Sequence, residues 1–233
     1  MIAHSKSGGT DMSEPGSYQT ETGDMRVVHK ALLAAFDAAD ALVEAAGSDG
    51  AKVATVATFF ENMLEFLHVH HEGEDDLLYP KIVERCTEHS TLLEQIDKEH
   101  ALLNEPMATA RAAIAAWAAQ PTPDTGAVVA TSLDIVEGAL RPHLRIEEDL
   151  VLPIAAAHLS PEEWGELPAH SMQAFSGDKL WLPFGLILDQ LNEEQRAVML
   201  SHLPEPVHQA WDHEWSPAFT GFMSQLRSIA PVG

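Results

Sequence analysis

One fourteen-residue pattern occurs twice in this chain, and it restricts the possible folds more than any other feature. Residues 67–80, LHVHHEGEDDLLYP, align without gaps on residues 140–153, LRPHLRIEEDLVLP, at an offset of 73 positions, and each copy contains His-x3-Glu-x5-Pro. A shorter echo precedes each copy: HKALL at 29–33 and HALL at 100–103 are offset by 71 positions. The chain therefore reads as two copies of a helix pair, each supplying one His and then one His-x3-Glu. Residues four apart share a face only if the backbone is helical at the surrounding three- and four-residue apolar steps, and those steps are present.

From about Asp24 to Leu159 the text is rich in Ala, Leu, Glu and Met. Turn residues interrupt it at 47–50, around Cys86 to Ser90 and at 120–124, leaving four long segments. Four such segments predict an all-α, up-and-down four-helix bundle over residues 23–159. Its apolar stripes run through Leu33 and Phe36, then Met63, Phe66, Leu67, Leu77 and Leu78, then Leu93, Ile96, Leu103 and Met107, and finally Leu133, Val136, Leu140, Leu150 and Ile154. His29, His70, Glu74, His100, His143 and Glu147 fall on those stripes where leucines belong. Residues 1–22, rich in Ser, Gly, Thr and acids, read as a flexible tail. Residues 160–233 form a helical C-terminal extension, with helix starts at Ser160-Pro161-Glu162-Glu163, at Asn192-Glu193-Glu194-Gln195 and after Pro206, and with tryptophans to pack on the bundle.

Composition narrows the function. The chain has 233 residues, 45% of them hydrophobic and 21% charged, which predicts a globular fold without a membrane span. A net charge of −23 repels nucleic acid and anionic membrane surfaces, so neither is an expected partner. The single cysteine, Cys86, excludes an intrachain disulfide and Cys-rich metal modules. With no apolar leader at the start, a cytoplasmic protein is expected.

A helix that places an imidazole and a carboxylate one turn apart offers both to one small volume. That donor pair suits iron, manganese or zinc, and two carboxylates on different helices can bridge two ions. Buried carboxylates side by side also demand a compensating cation. The six residues are therefore the candidate ligands of a two-metal centre. His68, His71, Glu72, Asp75, Asp76, Glu148 and Asp149 read as surface positions, and Cys86 as a small apolar filler. No phosphate loop, nucleophile elbow or zincin pattern accompanies them.

The order His, His-x3-Glu with a Leu-Tyr-Pro turn, Glu-His, then His-x3-Glu-Glu resembles the hemerythrin-like, or HHE cation-binding, family over about residues 24–158. That resemblance implies a bundle holding two non-haem irons, oxo- or hydroxo-bridged, with Glu74 and Glu147 bridging and His29, His70, His100 and His143 terminal. It implies a small oxidant, O2, peroxide or nitric oxide, as the ligand, with a di-iron redox enzyme or an iron- or oxygen-sensing interaction protein as the alternatives. Oxygen carriers in the family place two histidines four apart on the third helix, whereas Ile96 and Asn104 flank His100 here. One histidine is missing on this reading, which leaves a partly open site.

Overall fold

The computed structural model describes residues 18–175 and 179–232, and every regular element among them is helical. The first segment is two helices, α1 (Gly23–Asp37) and α2 (Ala39–Ala46), joined at Ala38. Gly47 ends α2 at φ +55°, a backbone region that glycine enters without strain. Asp49 then caps α3 (Gly50–Gly73) by accepting from the Ala51 and Lys52 amides. α3 widens into a π-turn (Glu74–Leu78) and continues as α4 (Tyr79–Arg85). A 3-10 turn (Thr87–His89) leads into α5 (Ser90–Ala119). A Thr122/Thr125 capping box with Pro123 in the first turn starts α6 (Pro123–Ile146), which passes through a second π-turn (Glu147–Val151) into α7 (Leu152–His158).

The extension contains α8 (Pro161–Trp164), α9 (Glu166–Ala174), α10 (Trp181–Asp189), α11 (Glu193–Ser201), α12 (Glu205–Ala210) and, beyond a third π-turn (Trp211–Trp215), α13 (Ser216–Ile229). The capping boxes at Ser160/Glu163 and Asn192/Gln195 lie where the sequence places them. α9 lies on α3 and its π-turn, α10 on α1 and α3, and α13 on α2 and α3. A Cβ on Gly185 would fall 2.2 Å from the Phe219 ring, so the close approach of α10 to α13 requires glycine there. Most of the expected N-terminal tail lies outside the described residues. Within them Thr20 is buried, its amide and hydroxyl donating to the Ala156 and Leu159 carbonyls.

Each π-turn has the same cause. The amides of Tyr79, Leu152 and Ser216 bond to carbonyls five residues back, and proline follows at Pro80, Pro153 and Pro217. Proline has no N–H and its ring crowds the carbonyl four residues earlier, so a widened turn relieves the clash. The extra residue shifts the buried stripe by one position. Leu150, expected in the core, is half exposed, and Val151, Leu152 and Ala155 are buried instead of Leu150 and Ile154. Leu77 likewise yields to Leu78 and Tyr79, and Leu33 on α1 is only partly buried beside fully buried Leu32.

The buried apolar residues fall into two clusters. One contains Leu32, Phe60, Leu67, Leu103 and Leu140 with Leu186 and Met223 of the extension; the other contains Met25, Leu78, Ile82, Ile96 and Val151. Along each long segment the polar residues sit between the two: His29 between Met25 and Leu32, His70 and Glu74 between Leu67 and Leu78, His100 between Ile96 and Leu103, His143 and Glu147 between Leu140 and Val151. No helix among the described residues is long and apolar enough to cross a membrane.

Candidate metal centre

The polar layer is deeply buried: His29, His70, His71, Glu74, His100, His143 and Glu147 each retain 7% exposure or less. The potential ligand atoms form two groups, His29, His70, Glu74 and Glu147 in one and His71, His100 and His143 in the other, with atoms inside each group within 4.8 Å of one another. The two carboxylates link the groups. Glu74 lies 3.7 Å from His70 Nε2 through Oε1 and 3.7 Å from His100 Nε2 through Oε2. Glu147 Oε2 lies 3.6 Å from both His29 Nε2 and His143 Nε2, and its Oε1 is 3.7 Å from His100 Nε2.

Those N···O separations are too long for hydrogen bonds. Two donors that share an ion at about 2.1 Å from each stand roughly 3.0–3.6 Å apart, so small adjustments would let them do so. The Nε2 atoms of His29, His70 and His71 and one oxygen each of Glu74 and Glu147 are buried with no hydrogen-bond partner. Unsatisfied buried polar atoms are rare because each costs about 1–3 kcal/mol, and five converging on one volume call for a cation. The donor set, imidazole and carboxylate without thiolate, fits iron.

Carboxylates hold the far side of the rings. His100 Nδ1 lies 2.8 Å from Asp75, His29 Nδ1 3.1 Å from Glu148, and His143 Nδ1 3.1 Å from Glu99. Such contacts set the tautomer and turn Nε2 toward the ion. Arg26 in turn holds Glu148 through its carboxylate and its carbonyl. The Tyr79 hydroxyl donates to Glu147 Oε1 at 2.6 Å and orients that carboxylate.

Burial and close neighbours shift the titration of most groups in this layer. Burial and the neighbouring His29 hold His70 down at about 3, and burial with His100 lowers His71 far below its usual range. Burial and the charge of Glu147 push Glu74 well up. Burial resists ionisation of Glu147 as well, but attraction to His100 and the other imidazoles outweighs it and draws the carboxyl down. His100 is raised to about 9, since Asp75 and Glu147 overcome the burial that opposes its charge.

A model of the hemerythrin HHE cation-binding domain matches residues 20–155. The chain belongs to the hemerythrin HHE cation-binding family. A search of curated proteins and a search of solved structures each return no match. In this hemerythrin-like chain the structure brings together all six residues singled out from the sequence and adds a seventh.

That seventh is His71, expected on the surface. It is 4% exposed, and its ring stacks on His100 at 4.0 Å and meets His143 edge-on at 5.2 Å. The third imidazole beside His100 and His143 thus comes from α3, and Asn104, one turn beyond His100, is exposed. A signal was available: the steps Leu67, His71, Glu74, Leu78 follow a helical stripe, and the repeat partner of His71 is Leu144, a core residue. Asp75 and Glu148 also leave the expected solvated face to hold histidines. Their common position, directly after each stripe glutamate, is the trace they leave in the sequence. His68 is a surface residue paired with Glu72, as expected. His208 pairs with Asp212 at the surface of the extension.

Proposed function

We propose that this hemerythrin-like protein is an up-and-down bundle that holds two non-haem irons and binds O2 or a related small oxidant, peroxide or nitric oxide, at a partly open site. The set of five unpartnered buried ligand atoms carries this reading. An iron pair supplies reversible electron transfer to a small oxidant when bound. The short connections between consecutive long helices support the up-and-down order, and the single cysteine suits a reducing, cytoplasmic setting.

The two ends of the site are unequal. His71, His100 and His143 crowd one side with three imidazoles, and His29 and His70 supply two on the other. With both carboxylates reaching the two groups, the His29/His70 side has one imidazole fewer, which leaves more room for an exogenous ligand there. The open site expected from a missing histidine beside His100 therefore moves to the opposite side. Phe66, tilted over His70 at 6.5 Å, and Phe175, 6.0 Å from Phe66, make its surroundings apolar. An apolar wall favours a small uncharged oxidant over an anion.

The test is metal analysis with optical spectra and thermal melts of aerobically isolated protein. About two irons per chain, near-ultraviolet charge-transfer bands and a lower Tm after chelation are expected, because an ion that binds only the folded state adds to its stability. A stoichiometry near one, or a Tm indifferent to chelation, overturns the assignment. Mixing the reduced protein with O2, peroxide and nitric oxide then separates a stable adduct from turnover.

A further inference from the structure

A second cluster of metal-ligand side chains lies at a corner of the bundle and shares no residue with the centre above. Cys86, His89 and His158 bring one sulfur and two ring nitrogens within 4.8 Å of one another, and all three are partly accessible. Cys86 ends α4, His89 closes the 3-10 turn before α5, and His158 is the last residue of α7. We propose that Cys86, His89 and His158 form a zinc site, with the fourth position open to water.

Four observations support it. Cys-x2-His across a tight turn is a chelating spacing, and the turn is fixed by the His89 amide bonding to the Cys86 carbonyl. His158 Nδ1 is buried with no hydrogen-bond partner, although the residue is not fully enclosed. The end of α7 is held in place: Arg85 donates to the His158 carbonyl at 2.6 Å and grips the Glu163 carboxylate with both terminal nitrogens, which neutralises the guanidinium beside the cluster. Finally, the repeat partner of Cys86 is Leu159, fully buried, whereas Cys86 is half-buried, so the thiol does not fill the core position that its counterpart fills.

Open zinc sites take three protein ligands drawn from thiolate, imidazole and carboxylate, and one thiolate with two imidazoles meets that requirement. Zinc binding displaces the thiol proton to solvent and leaves the ion three protein bonds tying the ends of α4, α5 and α7 together. Glu88, 3.6 Å from His89 Nε2, adds negative charge beside the site.

The experiment uses the full chain loaded with iron and titrated with Co2+, whose thiolate-to-cobalt charge-transfer band can come only from Cys86, the sole cysteine. Cobalt in the bundle centre cannot produce that band. One equivalent should generate it, zinc should abolish it, and zinc should slow alkylation of Cys86 by iodoacetamide by ~100-fold, since the bound thiolate is no longer free. Cys86→Ser should remove the band with the fold unchanged by circular dichroism, and His89→Ala and His158→Ala should each weaken binding by ~100-fold or more. No band on adding cobalt, an alkylation rate indifferent to zinc, or a band undiminished in both histidine variants would overturn the site.

Discussion

The two helix pairs, residues 23–85 and 90–158, carry the same lone His and the same His-x3-Glu, but they differ where the sites differ. At the position of His71 the second copy has Leu144, at the position of Glu99 the first has Val28, and at the position of Cys86 the second has Leu159. What they retain is an acid after the stripe glutamate, and it acts across the copies: Asp75 of the first holds His100 of the second, and Glu148 of the second holds His29 of the first. Neither group of ligand-type side chains comes from one copy alone. A shared carboxylate clamp is thus common to both halves, and single substitutions make its two sides chemically distinct.

The largest effect should come from breaking what the copies share. Glu147 stands within 3.7 Å of three imidazoles and accepts from Tyr79, so Glu147→Ala should lose both ions and, with them, the stability they add. Glu72→Ala, on the exposed face, should lose neither. Equal metal contents in the two variants, measured by elemental analysis, would show that the clamp is not the binding unit.

Making the copies alike should act on one ion only. His71→Leu places at 71 what the second copy has at 144, a residue that the core there already accepts. The ion at His100 and His143 should bind ~100-fold more weakly, the ion at His29 and His70 should stay, and the content should fall toward one per chain at limiting iron. Two ions held with unchanged affinity would show that His71 packs without ligating.

The smallest effects should come from the acids that orient the rings. Asp75→Asn and Glu148→Gln should each weaken one ion by about 10-fold, the first at the His100 side and the second at the His29 side. Glu148→Gln also removes the Arg26 ion pair while leaving its bond to the backbone carbonyl of residue 148, and that exposed pair contributes little. Identical spectral changes in the two variants would blur the distinction between the sides.

Much of this was legible before any coordinates. Repeat, apolar period and turn residues together implied four long helical segments, and the six stripe residues reach one buried layer because a helix keeps three- and four-residue steps on one face. Less legible were the π-turns at Glu74 and Glu147, although proline at Pro80 and Pro153 is their cause. A straight helix extrapolated through them puts Leu150 inside, and the widened turn puts Val151 there instead.

The residues themselves determined the helical class, the family and the two buried glutamates, because those depend on periodicity within single segments. Tertiary structure decided which partners the inward-facing residues meet. His71 joins the centre because α5 and α6 bring His100 and His143 against its face of α3, and Asp75 and Glu148 find histidines on helices of the other copy. Cys86 meets His158, 72 positions along the chain, only because the ends of α4 and α7 lie side by side. Local periodicity gives a residue's angle on its own helix, and the packing of the helices sets which partners stand opposite that angle.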